Sequence, residues 1–197
     1  MNIWLKALLI LVAVIVAIKI SAFAATGTTN LGFVQESSSM EPNIHVGDLI
    51  LVQSHQRTDI ITYAKGKMNG YKSFGDYGDV IIFHPNGISS ATPIMHRAIS
   101  WVEKGEEMPD GKSAPHEGYI TKGDNNAVPD QGAFKIASGK NVEPVKPEWI
   151  KGVARVRVPY LGFLLKGVGG TVVVLAVVYA IIVGCLTRKP SEKKKTK

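Results

Sequence analysis

Apolar residues gather in two long blocks near the two ends of the chain, with a mixed region between them. The first block runs from Ile3 to Ala25, and its charges are Lys6 and Lys19. Its uninterrupted stretch, Ala7 to Ile18, is twelve residues, short for a full span and normal for the core of a secretion signal. Ala22-Phe23-Ala24 follows, an A-x-A pattern. Two readings stay open on this pattern. One is a cleavable signal; the other is a retained anchor with Lys19 reaching to the outer interface. Both put the next residues outside the cytoplasm. The second block, Gly167 to Thr187, has no charge over 21 positions. At ~1.5 Å per residue it predicts a helix that crosses a ~30 Å hydrocarbon layer.

Between the blocks the pattern changes to short apolar runs set among Gly, Pro, Asn and Asp. Asp48 to Val52 and Val80 to Phe83 are continuous apolar runs, which predicts strands buried on both faces. Ile94 to Val102 and Tyr119 to Thr121 are further strand candidates. Val153 to Val158 alternates, with Ala154, Val156 and Val158 on one face and Arg155 and Arg157 on the other. Gln53 to Tyr77, Glu103 to Gly118 and Asn125 to Glu148 read as irregular. The prediction is a mainly β protein, an irregular β-barrel or sandwich flanked by two transmembrane helices.

Charge sharpens the topology. The net charge is +7, but the last ten residues hold six Lys or Arg and one Glu, leaving +2 for the rest. A basic tail beside an apolar block is a topology signal rather than a nucleic-acid footprint, so no nucleic-acid partner is expected. The predicted order is 1–25 anchor, 26–36 connector, 37–160 extracytoplasmic domain, 164–187 second span, 188–197 cytoplasmic tail. Both termini would then be cytoplasmic, and the tail could meet anionic lipid headgroups. The lone cysteine, Cys185, excludes an intrachain disulfide and a cysteine-built zinc site.

Three stretches far apart in the chain carry chemistry. Ser37-Ser38-Ser39-Met40-Glu41-Pro42, then Gly47-Asp48, has linker-like serines but more structure than a linker needs. Met95-His96-Arg97-Ala98-Ile99 places a histidine on an apolar strand face, where core histidines are common. Gly123-Asp124-Asn125-Asn126, with Asp130 beyond, has the composition of a turn. Together they supply a hydroxyl, a base and an acid. Serine needs a base to take its proton, histidine suits that task near neutral pH, and a carboxylate fixes the imidazole tautomer.

Ser-x-Ser-Met-x-Pro followed by Gly-Asp resembles the nucleophile motif of signal peptidase I. The resemblance implies Ser39 as nucleophile and Ser37 as an oxyanion-hole hydroxyl beside the Ser39 backbone N–H. Bacterial members carry a lysine base before an arginine; His96-Arg97 is similar instead to the archaeal and endoplasmic-reticulum branch, so a Ser-Lys mechanism does not carry over. Lys122-Gly123-Asp124-Asn125-Asn126 and Asp130 also resemble that branch, with Asp130 the better partner for His96 and Asp124 sharing that task or holding the turn. The family keeps its N-terminal anchor, which favours a retained span with A-x-A as a candidate self-cleavage site.

The implied activity is a membrane-bound serine endopeptidase that removes signal peptides from secreted precursors after small residues. It would sit in the cell membrane, or in the endoplasmic-reticulum membrane of a eukaryote, as a multi-pass protein. No metal or cofactor is implied, and additional membrane subunits are compatible with it. The walls of the substrate pockets are not assignable from sequence. The rival readings are a non-catalytic anchored β-domain, a cytoplasmic self-cleaving peptidase and a catalytically idle subunit. The order of the three motifs, the two spans and the full set of catalytic residue types argue against each in turn.

Overall fold

The computed structural model describes residues 2–166 and 168–187. Contacts divide the chain into two compact units: Phe23–Phe163 is one, and the two flanking segments form the other.

Ile3–Thr26 is helix α1, and its residues up to Ala22 belong to the flanking unit. It exposes Leu5, Leu8, Leu9, Val12 and Val16 on several sides, as a helix does when its surroundings are apolar all round. It is long and apolar enough to cross a membrane by length and composition. Val168–Thr187 is a second, shorter apolar helix. Inside this unit the Tyr179 hydroxyl donates to the Trp4 carbonyl at 3.2 Å, with the two rings 6.5 Å apart. Gly167 and the basic tail 188–197, on which the predicted cytoplasmic placement falls, lie outside the described residues.

The Phe23–Phe163 unit is built on strands β1 (Gly32–Val34), β2 (Leu49–Gln53), β3 (Lys72–Ser73), β4 (Asp76–Tyr77), β5 (Val80–Phe83), β6 (Ile94–Val102), β7 (Gly118–Lys122) and β8 (Ile150–Val158). Six of them form one sheet in the order β1-β2-β8-β5-β6-β7, while β3 and β4 pair apart as a small hairpin. The sheet is antiparallel throughout and curls into a half-barrel. The mainly β expectation is met by one curled sheet that packs on both faces. Val80 and Ile82 join Met40, Ile44, Ile50 and Met95 on one face; Ile81 and Phe83 join Ala98, Val145 and Val153 on the other. All four β5 side chains are buried, each contributing ~1.5–3 kcal/mol of transfer free energy.

Two strand readings are refined. In β2 only Ile50 and Val52 are buried, and Leu49 and Leu51 are half-covered, because this strand lies near the sheet edge, next to the short β1. In β8 a register shift breaks the predicted alternation: Ala154 pairs with Val52 but Val156 pairs with Leu51, neighbours that face opposite sides, and Val156 is half exposed. The buried end of that strand is Ile150–Ala154, where β5 pairs with it.

The irregular stretches also carry elements. The expected connector 26–36 contributes edge strand β1. The 53–77 stretch holds helix α2 (Tyr63–Asn69), capped by the Thr62 hydroxyl and ended by Gly70 in the left-handed conformation. The A-x-A segment is helical within α1. There the Ala24 carbonyl accepts from Arg57 Nη1 at 2.6 Å, and the same guanidinium lies 6.0 Å from the Phe23 ring.

Candidate active site

Strand β6 supplies the centre of the site. Adjacent residues of a strand project to opposite faces, so His96 and Arg97 leave β6 on different sides and meet different partners. Both are almost fully buried. A buried imidazole and a buried guanidinium each need polar partners, and the structure provides a carboxylate for each.

On the His96 side, Ser39 sits in a 3₁₀ turn, Ser38–Met40, fixed from below by fully buried Met40. Ser39 Oγ lies 3.0 Å from His96 Nε2, and His96 Nδ1 lies 2.7 Å from Asp130 Oδ2. A carboxylate accepts only, so this contact fixes the proton on Nδ1 and leaves Nε2 as the acceptor for the serine hydroxyl. Asp130 opens a short helical turn, Asp130–Ala133. Its Oδ2 also accepts from the Thr121 hydroxyl at 2.7 Å. Its Oδ1 is buried with no hydrogen-bond partner among the described residues.

Ser37 stands beside the nucleophile candidate, with its Oγ 3.1 Å from Ser39 Oγ. Buried Gln35 donates from Nε2 to the Ser37 carbonyl at 2.7 Å and to Ser37 Oγ at 3.3 Å. Since Gln35 supplies a proton to that oxygen, the Ser37 hydroxyl keeps its own to give away.

On the other side, Arg97 holds Asp124 in a two-pronged pair, Nε to Oδ1 at 2.8 Å and Nη2 to Oδ2 at 2.7 Å. Asn43 donates to the same Oδ2 at 2.8 Å. Arg97 Nη1 donates to the carbonyls of Ser73 and Gly78, at 2.9 and 2.8 Å, tying the β3–β4 hairpin to β6. Asp124 is thus engaged with Arg97, and Asp130 with His96.

Gly123 makes room for this junction. A methyl group on it would stand 2.6 Å from the Ser39 carbonyl and 2.9 Å from His96 Nε2. The following loop is fastened to the nucleophile turn, with Asn125 N–H donating to the Ser39 carbonyl at 2.9 Å. Next to it lies a hollow of about 360 Å³ lined by Val128, Phe134 and the rest of the 125–130 loop. Asp48, from the Gly-Asp pair, accepts the N–H groups of His45 and Tyr160 and so pins the chain on both sides of the sheet edge. Among the described residues, no group of three or more His, Cys, Asp or Glu is arranged to hold a metal.

The sequence reading named the principal groups but missed Gln35, Asn43, Thr121 and Gln131. Asn43 meets Asp124 across 81 positions, a separation that no local pattern reveals. Gln35 lies two residues before Ser37, but nothing in its type distinguishes it from a solvated connector residue.

Hydroxyl to imidazole to carboxylate, joined in that order on a β-rich scaffold, is the arrangement on which serine hydrolases build a nucleophile. Sequence comparison agrees with that class. The chain is 32% identical over 139 residues to the protein named signal peptidase complex catalytic subunit SEC11C of Homo sapiens, a match covering 71% of this chain and 57% of that protein. The Mus musculus protein of the same name gives the same figures. The signal peptidase complex catalytic subunit SEC11 of Yarrowia lipolytica is 27% identical over 128 residues, covering 65% of this chain and 57% of its own length. The chain is therefore homologous to the catalytic subunits of the endoplasmic-reticulum-type branch of signal peptidase I. The match spans little more than half the length of these relatives, and no family model matches the chain.

Proposed function

We propose that this protein is a membrane-anchored serine endopeptidase that removes N-terminal signal peptides from secreted precursors, cutting after small residues. The observation that carries the reading is the unbroken run of hydrogen bonds from Ser39 through His96 to Asp130.

In this reading Ser39 Oγ attacks the scissile carbonyl as His96 Nε2 takes its proton. The Ser39 backbone N–H and the Ser37 hydroxyl receive the oxyanion; losing one such donor typically costs ~10²–10³ in rate. His96 then protonates the leaving amine, and water resolves the acyl-enzyme by the same steps in reverse. Asp130 holds the tautomer and balances the imidazolium. Asp124 acts at one remove, as a positioning residue that keeps Arg97, the hairpin and the Ser39 turn in register. The anchor holds the domain outside the cytoplasm, where it meets signal peptides in the same bilayer at raised effective concentration. The relatives are named as subunits of a complex, which supports further membrane subunits as partners.

The test is cleavage of a precursor bearing an Ala-x-Ala site by the detergent-solubilised protein, beside Ser39→Ala and His96→Ala. Each variant is expected to lose roughly 10⁴–10⁶ in kcat while keeping its fold. Near-full activity in His96→Ala would overturn the base assignment. Activity is also expected to rise with pH, since a general base works only when neutral. A flat profile between about pH 5 and 8 would count against an imidazole base.

A further inference from the structure

The mechanism above leaves a buried polar group unused. Behind Asp130, the side chains of Thr121 on β7 and Gln131 on the turn after Asp130 are both essentially fully buried, and each is joined to the other. The Thr121 backbone N–H, which can only donate, gives its proton to Gln131 Oε1 at 2.9 Å. The Glu143 carbonyl, which can only accept, takes one from Gln131 Nε2 at 3.3 Å. These two contacts agree on which end of the amide is oxygen and which is nitrogen. Gln131 Nε2 therefore faces Thr121 Oγ1, at 3.4 Å. With that nitrogen directed at it, and with a carboxylate on its other side, the Thr121 hydroxyl has one place for its own proton. That place is Asp130 Oδ2 at 2.7 Å, the oxygen that His96 Nδ1 also uses.

We propose that Thr121, with its hydroxyl aimed by Gln131, is a positioning residue that holds Asp130 Oδ2 in the line of His96 and so sets the imidazole for proton transfer. The inference rests on the Ser39–His96–Asp130 reading. Asp130 has little else to hold it, because Oδ1 has no partner among the described residues. A carboxylate held through one oxygen can swing about its Cβ–Cγ bond. The Thr121 hydroxyl is the contact that stops that swing at the angle His96 needs.

Thr121→Val keeps the branched shape, and so the strand packing, but removes the donor. It is expected to lower kcat about tenfold to a hundredfold, the worth of one hydrogen bond to a charged group, with KM unchanged within about twofold because the residue does not touch substrate. Thr121→Ser restores the hydroxyl and is expected to recover most of the loss. Should the valine variant fail to fold, Thr121→Ala set against Thr121→Ser asks the same question. Gln131→Leu, which frees the hydroxyl to turn, is expected to fall between Thr121→Ser and Thr121→Val. Unchanged kcat in the donor-less variants, or equal losses in valine and serine, would overturn the proposal. Ser39→Ala run alongside separates the two levels. If it abolishes cleavage while Thr121→Val does not impair it, the positioning role alone fails. If it leaves cleavage intact, the nucleophile assignment fails and the positioning role with it.

Discussion

The two sides of strand β6 around His96 and Arg97 make a natural contrast. Each residue is buried and each is given one aspartate from the stretch that follows β7. On the Arg97 side every oxygen is used: Asp124 takes two bonds from the guanidinium and a third from Asn43. On the His96 side the carboxylate is served through one oxygen, and the other is left bare. A fully matched pair has no charge left to respond with, and it does best as a fixed strut. In the proposed mechanism, an under-served carboxylate is the one that can answer an imidazolium formed beside it. The same residue type is thus committed to scaffold on one side and kept responsive on the other, by the count of its donors.

Four single substitutions, one of them also paired with a second, bear on this contrast, from the largest expected effect downward. Asp130→Asn keeps the shape but favours the wrong imidazole tautomer; kcat is expected to fall about 10⁴-fold with little change in thermal stability. A comparable loss of melting temperature would show that Asp130 is a strut as well. Arg97→Met strands Asp124 as a buried, unpaired charge, at roughly 3–5 kcal/mol, so unfolding should begin about 10 °C lower. Pairing it with Asp124→Leu should return part of that stability, and failure to do so would mean the carbonyl contacts of Arg97 outweigh the ion pair. Gly123→Ala pushes the Ser39 carbonyl away from the imidazole and is expected to lower kcat about a hundredfold, since displacements near 1 Å cost that much. Normal kinetics in that variant would mean the turn yields without cost. Asn43→Ala removes a single donor from Asp124 and should cost about 1–2 kcal/mol in chemical denaturation.

How much of this was readable beforehand depended on the range of the interactions. β5 and β6 announced themselves because four and nine successive residues obey one pattern, and Ile94–Val102 was found at its observed limits. Helix α2 has seven residues, two of them Lys and one Gly, too few turns to show a period. The β3–β4 hairpin has two residues a side, and its position is set by Arg97, some twenty residues downstream. The residue types of the site were legible as three motifs. Which acid faces which base was ranked by the family resemblance, in favour of Asp130, and not by the residues themselves, because Asp124 and Asp130 are six positions apart in a loop whose path is decided by the fold. The network of Thr121 and Gln131 left no trace in the sequence, since one looks like an ordinary strand residue and the other like a loop glutamine.

The adjacency of His96 and Arg97 gives β6 a parity. Because neighbours on a strand alternate faces, a slip of one position against β5 or β7 would present the guanidinium to Asp130 and the imidazole to Asp124. The carbonyl cage built by the hairpin would then face a ring that cannot fill it, and the serine would face a permanent cation that cannot accept a proton. Misalignment by one is penalised on both faces at once, while the apolar neighbours Ile81, Ile82, Met95 and Ala98 would tolerate either setting far better. The pair therefore works as an error-detecting digit in the assembly of the sheet, written into the same two residues that carry the proposed chemistry and the scaffold.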